Sequence, residues 1–232
     1  MVDHKISLDV ITFNVLVDAI YKEGMVREAE DIVQIMMQRN ISADVVTCNA
    51  VIDGYCLVID KARKLLDSMT SRDLKTCIIS YNKLINGYCK QGRVVEAWRL
   101  FLEVPHKGSD YNVVTYNTML QGLFRVGRCV DGLKLFKEMQ GQQLVPNQVT
   151  YNTLLNGLCM NKQIATFSFL HIMEEKGVNP DLISYGILIH GLCKDGKLEI
   201  ARSLFSGLPS KICNLTFICI QPLLVHFVKK DL

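Results

Sequence analysis

The sequence predicts an all-α fold, a right-handed α-α superhelical solenoid of stacked helix-turn-helix repeats. Three observations carry that prediction. One eight-residue phrase recurs six times, as VITFNVLV (10–17), VVTCNAVI (45–52), IISYNKLI (78–85), VVTYNTML (113–120), QVTYNTLL (148–155) and LISYGILI (182–189). Its fixed slot holds Asn14, Asn49, Asn82, Asn117, Asn152 and Gly186, at spacings of 35, 33, 35, 35 and 34 residues. Apolar residues recur at helical spacing within each phrase, as Tyr116, Met119, Leu120 and Leu123 do. A helix pair of this length cannot bury its apolar face alone, so a period of this size implies neighbours that stack.

The repeats run 10–44, 45–77, 78–112, 113–147, 148–181 and 182–214, the last with a degenerate end, between residues 1–9 and the patternless 215–232. Each first helix is expected to begin at a hydroxyl residue (Thr12, Thr47, Ser80, Thr115, Thr150, Ser184), which can accept a first-turn amide proton as an N-cap. Five residues beyond the fixed slot stand Gly54, Gly87, Gly122, Gly157 and Gly191, with Ala19 in the first repeat, a level suited to close helix approach. Gly24, Gly92, Gly127 and Gly196 are expected to end first helices in the left-handed conformation. Second helices carry small-then-bulky patterns, as in Ala97, Phe101 and Val104, Gly132, Phe136 and Met139, and Ala201, Phe205 and Leu208. Two repeats depart from this scheme. The turn in 45–77 is two residues shorter, and in 148–181 Asn161 stands as the left-handed candidate.

Composition bounds the function. The chain is 49% hydrophobic and 21% charged, with a net charge of +3 that permits a nucleic-acid partner without requiring one. The nine cysteines include no CxxC pair and no secretory signal precedes residue 10, which favours a reduced, intracellular setting. Cys56, Cys89, Cys159 and Cys193 share one slot with Tyr21 and Phe124, so the slot reads as packing rather than zinc ligation. No metal or other cofactor, no membrane span, no small-molecule substrate and no enzymatic activity is expected.

The VTYNTLL phrase, the GLCK and GYCK segments, the turn glycine followed by a basic residue (Gly92-Arg93, Gly127-Arg128, Gly196-Lys197) and the closing Pro-Asn or Pro-Asp resemble the pentatricopeptide repeat (PPR). The resemblance covers residues 10 to about 214. Unit lengths resemble the plain P class, and the Cys-containing GYCK-type units resemble the fertility-restorer-like branch. The Trp/Leu-Gly/Tyr signature of the related, protein-binding tetratricopeptide repeat is missing, and the one tryptophan, Trp98, falls in a second helix.

The resemblance implies an organellar, plant-type protein that binds single-stranded RNA with one repeat per nucleotide, acting in RNA stability, processing or translation, with other RNA-processing proteins as further partners. It assigns base reading to the fixed-slot residue and the last residue of the same repeat. Asn14 with Asp44 and Asn152 with Asp181 then favour U, while Asn82 with Asn112 and Asn117 with Asn147 favour C and tolerate U. Asn49 pairs with Cys77, which is no usual combination, and Gly186 has no amide, so the implied footprint is U-n-Y-Y-U-n. Ile11, Val46, Ile79, Val114, Val149 and Ile183 would lie between successive bases, and Lys22, Lys90, Arg125 and Lys194 would meet phosphates. Leu57 and Met160 stand in place of those cations in the two irregular repeats.

Each row has a structural alternative. The asparagines can be tolerated polar residues of a first turn, the β-branched row can be inter-repeat core, and the cations can simply suit helix C-termini. A protein-binding helical scaffold is the competing function. HKISLD before Val10 resembles the end of a preceding repeat, with Asp9 in the closing slot, so a partial array is expected. The organellar location (mitochondrion or chloroplast) follows from the resemblance, since no transit peptide is read in this chain.

Overall fold

The computed structural model describes residues 9–38, 46–47, 50, 59–71, 78–107, 110–161 and 166–206. The chain divides into two compact units, Met1–Tyr111 and Asn112–Leu232. The first contains α1 (Val10–Lys22), α2 (Val26–Gln38), α3 (Ile59–Ser71), α4 (Ile78–Lys90), α5 (Val94–Glu103) and a 3-10 turn at Pro105–Lys107. The second contains α6 (Val113–Arg125), α7 (Cys129–Gly141), α8 (Gln148–Met160), α9 (Thr166–Glu175), α10 (Leu182–Lys194) and α11 (Leu198–Ser206). Among the described residues there is no strand, and no helix is long and apolar enough to cross a membrane.

In the first unit α1 packs on α2, and α4 packs on both α3 and α5. Arg93 ties this group together, since its guanidinium bonds Asp60 and Glu96 at 3.0 Å each and lies 4.9 Å from the Tyr88 ring centroid. In the second unit α6, α8 and α10 lie side by side, while α7, α9 and α11 each pack on the preceding helix. The phrase supplies the core. Phe13, Tyr81, Tyr116 and Tyr151, which precede the fixed slot, are buried, as are Leu84, Met119, Leu120, Leu123, Leu154 and Leu155. From the second helices Ala97, Phe101, Val104, Met139 and Ala201 join them.

The recurring glycine has a measurable purpose. A Cβ at Gly87 would collide with Ile59, and one at Gly157 would collide with the Phe124 ring. At Gly191 it would stand 3.0 Å from the Cys159 Cβ. In the second unit the Cys/Phe slot of one repeat thus seats on the glycine of the next. Cys89, Cys159 and Cys193 are buried, in keeping with packing.

Gly24, Gly92, Gly127 and Gly196 adopt φ between 74° and 79°, as the sequence predicts. At Gly127 the bonds from Gly127 N to Phe124 O (3.1 Å) and Arg128 N to Leu123 O (2.9 Å) form a Schellman end, which consumes carbonyls the helix leaves open.

Two expectations are corrected. The hydroxyl residues are not N-caps. Each of Thr115, Thr150 and Ser184 is the third helical residue, and the cap is the closing residue of the preceding repeat, Asn112, Asn147 or Asp181. A carboxamide or carboxylate reaches the N3 amide while the N3 hydroxyl returns to the cap amide, so both orphan donors are satisfied together. Asn161 is also not left-handed, with φ −98°. Its Nδ2 donates instead to Gly157 O at 2.7 Å and Phe124 O at 3.1 Å, a second donor for carbonyls that also accept from Asn161 N and Gly127 N. The shortened turn of 45–77, with Cys56 and Leu57, and Leu208 lie outside the described residues.

Candidate nucleic-acid interface

The site is built from helix starts. Asn112, Asn147 and Asp181 are held in extended backbone, and their Oδ1 atoms accept from the backbone N–H of Thr115 (2.9 Å), Thr150 (3.0 Å) and Ser184 (2.8 Å). Asp9 caps α1 similarly, taking Thr12 N at 2.8 Å and the Thr12 hydroxyl at 2.7 Å. The closing residue of a repeat is therefore locked to the first turn of the next helix before any ligand arrives.

That lock brings the closing residue to the fixed slot of its own repeat. Asn117 Nδ2 donates to Asn147 Oδ1 at 3.4 Å, and Asn152 Nδ2 donates to Asp181 Oδ1 at 3.3 Å. Asn14, Asn82, Asn117 and Asn152 are all buried, at 8–9% exposure. Asn117 Oδ1 is buried with no hydrogen-bond partner, a costly state for an amide oxygen unless something satisfies it. Burial alone would raise the Asp181 carboxyl. Bonds from the Ser184 amide and hydroxyl, and then from Asn152 and Gln148, outweigh it and hold the carboxyl below its ordinary 3.8. Asp44, Asn49 and Cys77 lie outside the described residues.

The β-branched row is not core. Ile11 is 71% exposed, Val46 59%, Ile79 54%, Val114 57%, Val149 58% and Ile183 61%. Within each unit these stiff apolar side chains, left in water at one register position, present a surface that a planar apolar ligand would cover. Lys90, Arg125 and Lys194 are exposed, and the Lys194 ammonium lies 3.7 Å from the Met160 sulfur. The Lys22 side chain lies outside the described residues.

Within the second unit these rows converge on a cavity of about 700 Å³. Its walls include Val149, Asn152 and Met160 of α8, Ile183 of α10 and Arg125 of α6. Arg125 is the one permanently charged group among its lining residues, which include no carboxylate. Gln121, Asn156 and His190 also line it, a second polar row that the sequence reading did not single out. Their signal was available, since each stands four residues beyond a fixed slot and so shares its helix face. The contact between Ser184 Oγ and Asn152 Oδ1 at 2.6 Å, in contrast, joins residues 32 apart and leaves no local sequence signal.

Cys129, Cys159 and Cys193 are held as thiols by burial. Burial, with a smaller contribution from Asp195, pushes the Cys159 thiol up to about 11, and burial raises Cys193 and Cys129. Among the described residues no group of three His, Cys, Asp or Glu side chains is placed to hold a metal ion.

The PPR repeat family matches residues 8–57, 76–112 and 111–160, and the PPR repeat matches 176–207. No curated protein matches the chain in sequence. Among solved structures the chain is similar to the pentatricopeptide repeat protein PPR10 from maize, at 23% identity and a TM-score of 0.70, over 89% of this chain and 30% of that one. It is similar also to PPR10 in complex with an 18-nt psaJ RNA element, at 25% identity and a TM-score of 0.73, over 90% of this chain and 31% of that one. The PPR domain of Arabidopsis thaliana protein-only RNase P 1, in complex with tRNA, aligns at 13% identity and a TM-score of 0.59, over 75% of this chain and 94% of that domain. The chain spans about three-tenths of the length of PPR10. Its all-α repeat fold is the helical solenoid of these structures. The chain belongs to the PPR repeat family.

Proposed function

We propose that this chain binds single-stranded RNA in a sequence-specific way, one nucleotide per repeat, with a pyrimidine-rich footprint of U-n-Y-Y-U-n. The observation that carries the reading is the contact, within one repeat, between fixed slot and closing residue: Asn117 with Asn147 and Asn152 with Asp181. Each pair offers amide donors and acceptors beside exposed β-branched residues, the chemistry that a flat base with a polar edge requires. The RNA complexes of PPR10 and of the RNase P 1 PPR domain support the partner class.

On this reading Asn14, Asn82, Asn117 and Asn152 read bases with Asp44, Asn112, Asn147 and Asp181, and Ile11, Val46, Ile79, Val114, Val149 and Ile183 separate them. Lys22, Lys90, Arg125 and Lys194 contribute salt-dependent phosphate contacts. The chain acts by occupying its RNA, without chemistry of its own, as a P-class, restorer-like member in organellar RNA stability, processing or translation.

The test is binding at stated salt to UUCCUU and to the same oligomer with A at the fourth base, by the chain and by Asn117→Thr. The resemblance implies that threonine at this slot favours A. A preference that moves to the A-containing RNA by about 1–3 kcal/mol supports base reading. Folded protein that binds neither oligomer above background refutes it and moves the protein-binding scaffold into first place.

A further inference from the structure

The hydroxyl that follows each closing residue is wired differently in two neighbouring layers of the second unit. In the layer of 148–181, Ser184 Oγ accepts from Gln148 Nε2 at 3.1 Å and from Asp181 N–H at 3.2 Å. A serine hydroxyl has two lone pairs and one proton, so only the proton remains to be placed. Two oxygens face it, Asn152 Oδ1 at 2.6 Å and Asp181 Oδ1 at 2.9 Å. Asp181 Oδ1 already accepts from the Ser184 amide and from Asn152 Nδ2. The proton therefore goes to Asn152, whose oxygen is nearer and has no other donor.

In the layer of 113–147 this wiring is absent. The position of Gln148 is occupied by Val113, which has no side-chain donor. Thr150 Oγ1 accepts from Asn147 N–H at 3.1 Å and donates to Asn147 Oδ1 at 3.0 Å. Asn117 Oδ1 is left buried and unpartnered. In the first unit the Thr47 hydroxyl donates to Asn14 Oδ1, so the bond from hydroxyl to fixed-slot amide recurs in another repeat, there with Val10 in the place of Gln148.

The two amides consequently offer different chemistry. Asn152 has its oxygen engaged and one Nδ2 proton on Asp181, so what it holds in reserve is a donor. Asn117 holds an open acceptor as well. Uracil presents O4, a pure acceptor, where cytosine presents an amino group, a pure donor. An amide that can only donate suits the former, and an amide with an open oxygen accommodates the latter.

We propose that Ser184 is a positioning residue for base choice in the preceding repeat: by holding Asn152 Oδ1 it makes that amide donor-only and selects uracil, with Gln148 orienting the hydroxyl. Asn117, whose oxygen no hydroxyl fills, accepts cytosine for the same reason. The inference rests on the RNA-binding reading above and adds a residue of the following repeat to the specificity of each layer.

The full chain is titrated by fluorescence anisotropy with UUCCUU and UUCCCU, which differ at the fifth base. The wild type is expected to prefer U there by about tenfold. Ser184→Ala should bring that ratio towards one while leaving the C-over-A ratio at the fourth base unchanged, and Ser184→Thr should restore it. Gln148→Val, which copies Val113 and leaves the Ser184 cap in place, should lower the U preference with a smaller drop in melting temperature than Ser184→Ala. That variant decides the matter if Ser184→Ala does not fold. Wild-type selectivity retained in Ser184→Ala, or in Gln148→Val, overturns the positioning role and leaves the RNA reading standing. A wild-type chain that binds RNA without distinguishing U from C at the fifth base also overturns it. A folded wild type that binds neither oligomer overturns both.

Discussion

Asn152 Nδ2 lies 3.3 Å from Asp181 Oδ1, and that oxygen simultaneously caps α10 through the Ser184 amide at 2.8 Å. One carboxylate thus closes a repeat, starts the next helix and fixes the amide of its own repeat. Recognition chemistry and helix stability share the same atoms, and the consequences can be measured.

The closing slot should tolerate only helix-capping side chains. Asn147→Ala removes a reciprocal cap and should lower stability by about 1 kcal/mol, whereas Asn147→Asp should be nearly neutral in a urea titration. Equal stability of Asn147→Ala and wild type would mean that the cap contributes nothing.

Gly157 should resist even a methyl group. Alanine gains about 1 kcal/mol of helix propensity, but its Cβ would collide with the Phe124 ring on the neighbouring helix. Overpacking of this kind costs about 1–3 kcal/mol, so Gly157→Ala should lower the thermal midpoint. Phe124→Cys in the same chain, which installs the residue found at Cys159, should recover most of the loss. Additive effects in the double mutant would refute the contact.

Asn161 should depend on its donor. Asn161→Ala forfeits the bonds to Gly157 O and Phe124 O, at an expected cost of about 1–2 kcal/mol. Asn161→Asp should be worse, since a carboxylate facing two carbonyl oxygens offers only acceptors. Chemical denaturation of the three proteins ranks them directly.

The acid limb of unfolding should report Asp181. Its folded carboxyl sits below the ordinary 3.8, so its stabilisation is complete above that value and is lost as pH falls through the depressed one. Asp181→Asn keeps a capping oxygen but has no such titration, so its stability should fall less steeply between about pH 5 and about pH 2. Identical acid limbs would show that the charge of this carboxylate is not used in the fold.

Much of this molecule was legible before any coordinates. The period, the helix pairs, the left-handed glycines at Gly24, Gly92, Gly127 and Gly196, and the packing slot of Cys89, Cys159 and Cys193 all follow from spacing along one helix or one turn. Such features depend on neighbours three to five residues away, which a linear sequence displays. The pairing of Asn117 with Asn147, and of Asn152 with Asp181, was implied by family resemblance rather than by local physics.

What the sequence determined by itself was therefore the repeat: an all-α array whose units stack, with asparagine and β-branched rows held in register. What only the tertiary structure decided was which atoms meet across a layer. It assigned the caps to Asn112, Asn147 and Asp181 instead of to the hydroxyl residues, left Val149 and Ile183 outside the core, and sent the Ser184 proton to Asn152 while Asn117 Oδ1 went without. Thr and Ser are equally able to cap or to be capped, and a β-branched residue suits a core as well as a surface. The cap is a contact three residues long, but the burial of a β-branched residue and the oxygen that faces the Ser184 hydroxyl depend on side chains some thirty residues away.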